Sequence, residues 1–318
     1  MGSQEGLMAE QIRPNDFRIR TFSEKVEDDV IGLVNAYTAD WPYSIPIDAS
    51  VLSHWRSMGD RYQPEQMLVA YHQGVPRAFL HGERTEEFFD VHLLAVAPGA
   101  VSEGMELLRQ IESVAASGSH SILGPTHRAW RWYNGYILGH EPLHPHWERD
   151  ATEAFVRSGW LLGHAKVMLV ADLSTEIQRT PCPKGYEIIE TEAEPEFSAS
   201  VFRFAAVHRG MEVAHCLGRH FAGLPAPDGG SVGQLGSVGT DERHRTRGLA
   251  THLVLRSLQH LRDWGASECL IVTEFENGPA LRAYENAGFE RRLNLNLWSK
   301  DSPQGPHADV QSECEPIQ

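Results

Sequence analysis

The chain has 318 residues, which is long for a single hydrophobic core and favours two domains. Its 28 lysines and arginines against 43 aspartates and glutamates give a formal charge of −15, which repels nucleic-acid phosphates and anionic membranes at long range. Hydrophobic residues make up 41% of the chain, but no apolar run approaches the roughly 20 residues that span a bilayer. We therefore expect a soluble protein that binds neither nucleic acid nor membrane.

Both ends of the chain are predicted to lie outside the folded domains. Residues 1–15 lack the apolar stretch of a signal peptide, and Gly6 stands where a myristoylation motif requires Ser or Thr, so we expect a flexible start. Residues 301–318 contain three prolines and no Lys or Arg, which predicts a disordered acidic tail. The cysteines are scattered without a CxxC pair, which favours a reducing, cytoplasmic location.

The first half of the sequence reads as strands followed by a helix. A strand begins at Phe17, and "MLVAYHQGVPRAFLHG" from Met67 predicts two strands that meet at Gly74. "VHLLAVA" from Val91 predicts a third strand, "SEGMELLRQIESVAAS" a helix ended by Gly118, and "HSILGP" a buried strand. This order indicates a mixed sheet with helices packed on it.

The segment "STEIQRTPCPKG", residues 174–185, shows neither the apolar spacing of a helix nor the alternation of a strand. It is predicted to be a linker between domains 16–173 and 186–300. After it, "YEIIE" and "GQLGSVGT" predict strands, "GLATHLVLRSLQHLRDWG" a helix with Leu253, Leu258 and Leu261 inward, "ECLIVTE" a buried strand and "PALRAYENAGF" a closing helix. We therefore predict an α/β fold of two tandem domains, each a twisted mixed β-sheet flanked by helices.

The second unit repeats the first. Three pairs anchor the alignment: Val96 with Val238, Gly118 with Gly265, and Phe155 with Tyr284. Between its strand and its helix the first copy has the shorter loop "APGAVSEG", which contains no arginine, whereas the second copy has "RHRTRG". The first backbone N–H groups of a helix lack internal partners and carry the positive end of its dipole. The second loop therefore predicts an anion site, where Gly248 allows close approach and Arg243, Arg245 and Arg247 add charge.

"RTRGLA", residues 245–250, resembles the R-x-x-G-x-G/A pyrophosphate loop of the GNAT superfamily of acyl-CoA-dependent N-acetyltransferases. "NGPALRAYENAGF", residues 277–289, resembles the N-x-x-A-x-x-x-Y-x-x-x-G-F segment of the same superfamily. The two motifs stand in the family's order, separated by one helix and one strand. With the internal repeat, they resemble the tandem, two-domain type of GNAT protein.

The resemblance implies acetyl-CoA as co-substrate and assigns roles at matching positions. The backbones of Val238 and Thr240 would pair with the pantetheine amides, and Asn277 would bond to the cofactor arm. Tyr284 would lie near the sulfur and donate a proton to the leaving thiolate. The pyrophosphate would be held by backbone N–H groups of Arg245, Thr246, Arg247, Gly248, Leu249, Ala250 and Thr251.

Each of these roles has a purely structural alternative. Tyr284 could be a core aromatic residue, and Asn277 could cap the helix that starts at Pro279. No general base is clearly indicated: Glu274 is the candidate we name, and a water relay is the alternative. The histidines of "HEPLHPHWERD" (His140, His144 and His146) lie between prolines in an irregular loop, so we expect no metal site. The aromatic run from Trp130 to Tyr136 is predicted to be buried, with an acceptor pocket as the alternative.

Two functions are compatible with this pattern. The first is transfer of an acetyl group from acetyl-CoA to a primary amine of a small molecule in the C-terminal domain, with a cationic acceptor favoured by the acidic chain. The second is an acyl-CoA-binding protein without turnover. Phe155 cannot protonate a thiolate, so we expect no catalysis of this kind in the first domain, although its helix N-terminus near Ser102 could still bind a CoA pyrophosphate.

Overall fold

The computed structural model describes residues 17–85, 88–118, 121–124, 130–133, 136, 149–191, 193, 196 and 199–300. The predicted flexible start, the predicted acidic tail and the segment with His140, His144 and His146 lie outside the described residues.

The strands alternate with helices in both halves of the chain. The first half supplies β1 (Phe17–Thr21), β2 (Met67–His72), β3 (Val75–Arg84), β4 (Phe88–Val96), β5 (Ser121–Gly124) and β6 (Leu161–Asp172). The second half supplies β7 (Glu187–Thr191), β8 (Ser200–His208), β9 (Met211–Pro225), β10 (Ser231–Thr240), β11 (Ala266–Glu274) and β12 (Glu290–Lys300). The helices are α1 (Glu27–Thr38), α2 (Ala49–Arg56), α3 (Val101–Gly118), α4 (Trp130–Tyr133), α5 (Arg149–Arg157), α6 (Leu249–Asp263) and α7 (Gly278–Asn286).

The predicted α/β architecture is confirmed, and the two expected sheets are the halves of one continuous sheet. Among the described residues, the strands are ordered β1-β2-β3-β4-β5-β12-β6-β11-β10-β9-β8-β7. Each half therefore gives its last strand to the other: β12 pairs with β5, β6 pairs with β11, and β12 and β6 pair with each other at the centre, all antiparallel. The strands before and after the linker predicted at 174–185 belong to the same sheet.

The helices cover the two faces of the second half differently. The predicted inward residues Leu253, Leu258 and Leu261 of α6 are buried in one core with Cys269 and Ile271 of β11. On the opposite face, β9, β10 and β11 contribute buried residues to a core that they share with α1 and α2 of the first half. Residues 192–199 alone separate β7 from β8, too few for counterparts of α1 and α2, so the first half supplies the helices on this face.

The β8–β9 hairpin forms where the sequence analysis placed no strands. Arg209 and Gly210, with φ of 53° and 78°, make the two-residue turn. Two consecutive residues with positive φ match the right-handed twist of a hairpin, and glycine adopts that conformation at little cost. No helix among the described residues is long and apolar enough to cross a membrane.

Candidate active site

Two neighbouring strands of the second half part from each other midway along their length. β10 and β11 pair in parallel over Ser231 to Gln234 of β10. Beyond that point β10 pairs with β9 as far as Thr240, and β11 pairs with β6 as far as Glu274. Because each strand keeps only its outer neighbour, the facing edges present backbone groups to the opening between them. An extended ligand with amide groups can pair with such an edge.

The loop after β10 leads into a helix with no side-chain cap. Gly248 is the N-cap residue of α6 and has a φ of 78°, and Thr246 has a φ of 63°. These two left-handed residues shape the turn that leads to the first N–H groups of α6, where the positive end of the helix dipole lies. The residues predicted to hold a pyrophosphate, 245–251, all lie in this loop and the first turn of α6.

The arginines of the loop are exposed, and two of them also bind its backbone. Nε of Arg245 donates to the carbonyl oxygen of Thr240 at 3.2 Å, and Nη2 of Arg247 donates to that of Arg243 at 3.1 Å. Asp241 accepts from the N–H of Arg243 at 2.9 Å. These bonds fix the shape of the loop while leaving other guanidinium donors to meet an anion.

The strand residues predicted to contact acetyl-CoA lie at the open end of β10. Val238 is half-buried against the α6 core, and the hydroxyl oxygen of Thr240 is buried with no hydrogen-bond partner among the described residues. A buried hydroxyl without a partner costs about 1–3 kcal/mol, which a polar ligand arm in the opening can recover. Together with the uncapped helix, this site fits the extended, polar and anionic arm of acetyl-CoA.

The two residues of the second motif lie on α7. Tyr284 is 6% exposed and belongs to the α6 core, to which Val238 is packed. Asn277 accepts from the N–H of Ala280 at 3.2 Å, so it caps α7 as one interpretation of the sequence predicted. This bond uses the amide oxygen of Asn277 and not its amide nitrogen.

The candidate base Glu274 lies at the end of β11 with its side chain 39% exposed. Its Oε1 is 3.8 Å from Nζ of Lys166, which is its pairing partner on β6. The ammonium group of Lys166 thus lies between this carboxylate and the neighbouring strand β6.

A histidine that the sequence analysis missed lies beside the opening. Nε2 of His215 on β9 is 2.9 Å from Oγ of Ser237, and Nδ1 is 3.4 Å from Oε1 of Glu212. Burial and the nearby Arg203 guanidinium lower the pKa of His215, and Glu212 opposes them. Arg203 in turn donates to both oxygens of Glu212, and these bonds lower the pKa of that carboxyl. His215 lies on the hairpin that the sequence analysis did not assign. Its contact with Ser237 depends on the pairing of β9 with β10, which forms only in the folded sheet.

A buried ion pair lies farther along the same strand. Arg219 donates from Nε and Nη2 to the two oxygens of Glu196, each at 2.7 Å. A Cβ on Gly236 would stand 2.2 Å from Nη1 of Arg219, so this glycine leaves room for the guanidinium over β10. The pair holds Glu196 against the sheet.

The first half also reaches this side of the sheet. The hydroxyl of Tyr43 donates to Oε2 of Glu268 on β11 at 3.1 Å. Burial raises the pKa of both groups, and the nearby Glu268 charge raises that of Tyr43 further. On the face of the sheet opposite α6, which we call the open face, residues of the first half thus form one wall.

Residues 173–289 match the Acetyltransferase (GNAT) family. A mycothiol acetyltransferase from Thermobifida fusca is 37% identical over 118 residues, which are 36% of this chain and 34% of that protein. A second, from Nocardiopsis dassonvillei, is 31% identical over 124 residues, 39% of this chain and 36% of that protein. Each alignment thus spans about a third of the relative's length.

Solved structures match nearly the whole chain. A tandem GNAT protein from the clavulanic acid biosynthesis pathway has a TM-score of 0.64 and 14% identity, over 92% of this chain and 100% of that chain. A GCN5-related N-acetyltransferase from Sphaerobacter thermophilus has a TM-score of 0.63 and 16% identity, over 92% and 98%. Residues 173–289 thus match the GNAT acetyltransferase family, and over 92% of its length the chain is similar in fold to these tandem and GCN5-related structures.

In the first GNAT-like repeat, the loop that corresponds to the anion site is bound by the protein's own carboxylates. Asp150 accepts from the N–H of Gly99 at 2.9 Å. Glu103, in the first turn of α3, is 5% exposed and accepts from Ser102 and from Nδ1 of His72 at 2.8 and 2.9 Å. The cleft beside this loop is lined by Asp40 and Asp150 together with a single arginine, Arg149. The negative charges of these two carboxylates would repel a pyrophosphate at this position.

The face of the first repeat that corresponds to the open face of the second is filled with aromatic rings. His81 is fully buried, with Trp55 and Trp132 at ring-centroid distances of 4.7 and 4.6 Å. Its Nδ1 is 2.9 Å from the hydroxyl of Tyr133, and burial holds the pKa of His81 well below its usual value. The prediction of ordinary burial is confirmed for Trp132 and Tyr133.

Proposed function

We propose that this chain transfers an acetyl group from acetyl-CoA to a primary amine of a small molecule, and that the reaction takes place in the second repeat. The observation that carries the proposal is the parting of β10 from β11 next to the uncapped start of α6. An extended thioester arm can lie in the opening while its pyrophosphate meets the helix N-terminus. The first repeat differs at the corresponding positions, with Asp150 bound to its loop and Phe155 in place of Tyr284.

Each predicted residue has a part in this proposal. Thr240 and the backbone of Val238 would hold the pantetheine arm, the 245–251 loop the pyrophosphate, and Asn277 the arm through its amide nitrogen. The amine attacks the thioester carbonyl carbon, a backbone N–H of β10 stabilises the oxyanion, and the phenol of Tyr284 donates its proton to the departing thiolate.

The acceptor would approach from the face of the sheet opposite α6 and α7, because those helices fill the other face. The carboxylates of Glu268 and Glu274 on β11 lie on the approach side, alternating with the residues that face α6. They favour a cationic amine. Since the relatives are named mycothiol acetyltransferases, amines related to mycothiol belong in the panel of acceptors to be tested.

The first experiment measures acetyl-CoA binding by native mass spectrometry and turnover with a panel of amines. Free CoA is quantified by chromatography, because the exposed Cys182 would consume thiol reagents. We expect Tyr284→Phe to lower kcat by about 100-fold, since the general acid is lost, and to leave acetyl-CoA affinity nearly unchanged. Tyr71→Phe is the matched control: Tyr71 is 5% exposed, but its hydroxyl donates to Asp29 in the first repeat.

Three results would contradict parts of the proposal. Tight acetyl-CoA binding without turnover on any amine would favour the non-catalytic binding protein. Turnover unchanged in Tyr284→Phe would remove the phenol as the general acid. Turnover that persists after deletion of residues 180–318 would move the reaction to the first repeat.

A further inference from the structure

A β-bulge turns one hydroxyl of β10 toward the acceptor side of the sheet. The pairing of β10 with β9 shifts register between Leu235 and Val238, and both of these residues face the α6 core. The extra residue of a bulge re-aims side chains, and it places Ser237 on the opposite face, where its Oγ meets Nε2 of His215 at 2.9 Å. The bulge lies where β10 has just parted from β11.

The His215 ring lies over the backbone of β10 because a glycine makes room for it. A Cβ on Gly239 would stand 2.6 Å from Cε1 of His215, a distance that Cβ atoms do not tolerate. The ring is therefore held between Glu212 on one side and Ser237 on the other. The side chain of His215 is 31% exposed, so a proton that it accepts can return to solvent.

The neighbours of His215 select the tautomer that a base requires. Nδ1 lies 3.4 Å from the carboxylate of Glu212, which favours the tautomer that carries its proton on Nδ1, and in that tautomer Nε2 accepts from the Ser237 hydroxyl. The charged groups that face the ring are Arg203 from β8 and Glu212 from its own strand, while β10 presents Ser237 and Gly239. Because its pKa is lowered, the ring is neutral at and above neutral pH, and Glu212 stabilises the imidazolium once it forms.

We propose that Ser237 and His215 form a proton relay that takes the proton lost by the acceptor amine. This inference rests on the acyl transfer proposed above. It replaces Glu274, whose carboxylate is paired with Lys166, as the destination of that proton. Ser237 is the group that contacts the amine, and His215 acts through it.

The step balances in atoms and charge. As the amine nitrogen bonds to the carbonyl carbon of the thioester, its proton passes to Oγ of Ser237 and the hydroxyl proton of Ser237 passes to Nε2 of His215. The C–S bond then breaks, and the thiolate takes the proton of Tyr284. The products are the amide and CoA, and the extra proton on His215 returns through solvent to the Tyr284 phenolate.

The test compares His215→Gln, His215→Ala and Ser237→Ala with a matched control, His220→Gln. His220 lies on the same strand, has its pKa lowered by burial and binds a serine of β10 in the same way, with Nε2 2.7 Å from Oγ of Ser231. Ser231 lies where β10 still pairs with β11, away from the opening. The substrates are acetyl-CoA and the amine of the panel that gives the fastest turnover, and kcat is measured from pH 5 to pH 9.

We expect His215→Gln and Ser237→Ala to lower kcat about 100-fold with little change in the KM for acetyl-CoA. The acid limb of the kcat profile, which lies below the ordinary histidine pKa in the wild type, should disappear in His215→Gln. Free imidazole should raise the turnover of His215→Ala about tenfold and leave the wild type unchanged. His220→Gln should keep the wild-type kcat and acid limb.

Two results would overturn the relay, and they are distinguishable from failure of the proposed function. If the wild type turns over while His215→Gln keeps its kcat and its acid limb, acyl transfer stands and the relay is wrong. If His215→Gln loses activity, but imidazole does not restore His215→Ala and His220→Gln loses as much, the histidine serves only the fold. If the wild type binds acetyl-CoA and acetylates no amine, both proposals fail together.

Discussion

Thr246 holds a backbone conformation that β-branched residues rarely adopt. Its φ of 63° lies in the left-handed region, where the side chain crowds the backbone and costs about 1–2 kcal/mol. One local bond, from its hydroxyl to the carbonyl oxygen of Arg245 at 2.7 Å, offsets part of this cost. Strain of this kind concentrates at ligand sites, and here it sits in the proposed pyrophosphate loop.

Replacing Thr246 with glycine should therefore stabilise the protein. The strain is relieved, while the greater freedom of glycine in the unfolded chain takes back part of the gain, which leaves about 0.5–1 kcal/mol. Urea denaturation measures the difference, with Thr251→Gly, inside the first turn of α6, as a control that should be destabilised. A lower unfolding free energy in Thr246→Gly would show that the conformation carries no strain.

At the scale of residues, the candidate site residues that the sequence indicates lie in short motifs. Tyr284, Asn277 and the 245–251 loop stand in local patterns whose spacing sets their geometry, and Asn277 takes the cap position that Pro279 indicates. The Ser237–His215 contact follows from no local pattern. It needs a β-bulge and an antiparallel pairing between distant segments, which only the assembled sheet specifies.

At the scale of elements, the contrast between α3 and α6 separates the two repeats. Both helices follow a strand that parts from its parallel neighbour, and both have their positive dipole end at the opening. α3 meets the carboxylates of Glu103 and Asp150 there, whereas α6 starts at Gly248 without a side-chain cap. The start of α3 therefore has carboxylates of the protein beside it, whereas the start of α6 is open to the external anion that we propose.

Acetyl-CoA should bind once per chain, and its footprint should fall on α6. Hydrogen exchange followed by mass spectrometry should show new protection in peptides that cover 241–255 and no change in peptides that cover 97–108. Native mass spectrometry should count one acetyl-CoA. A second bound molecule, or protection at the start of α3, would show that the internal carboxylates do not close the first site.

Two helices with strong periodicity were predicted correctly, whereas the β8–β9 hairpin was missed. α3 and α6 show apolar residues at helical spacing, and α6 buries the residues that this spacing indicated. The β8–β9 hairpin went unassigned because its strands, which are buried on one face and half-buried on the other, do not alternate cleanly between apolar and polar residues. Its turn at Arg209-Gly210 was the available signal.

At the scale of the molecule, the exchanged strands make each half depend on the other. β6 completes the sheet beside β11, and β12 completes it beside β5, while one core joins α1 and α2 to strands of the second half. A sequence shows where strands begin and end, but the choice between a partner in the same repeat and one in the other repeat depends on long-range contacts. The periodicity of the sequence therefore could not predict that β6 and β12 each pair with strands of the other half.

We expect the two halves to unfold together. Leu253→Ala, a fully buried residue of α6, should cost about 2–5 kcal/mol and lower a single melting transition, because loss of the second half also removes β12 from the first. Differential scanning calorimetry should give one endotherm, with calorimetric and van't Hoff enthalpies in agreement. Leu107→Ala in α3 is the matched variant and should act likewise. Two resolved endotherms would show independent halves.

The strand order is a palindrome about an antiparallel central pair, which is the pattern that two identical subunits generate around a two-fold axis. A single-repeat ancestor that traded its last strand with a second copy would form this same sheet as a homodimer. Joining two such copies into one chain would preserve the assembly and make its association independent of concentration. In a fused chain the two copies can change independently. The first copy can then lack an anion site and still form one wall beside the open strands of the second.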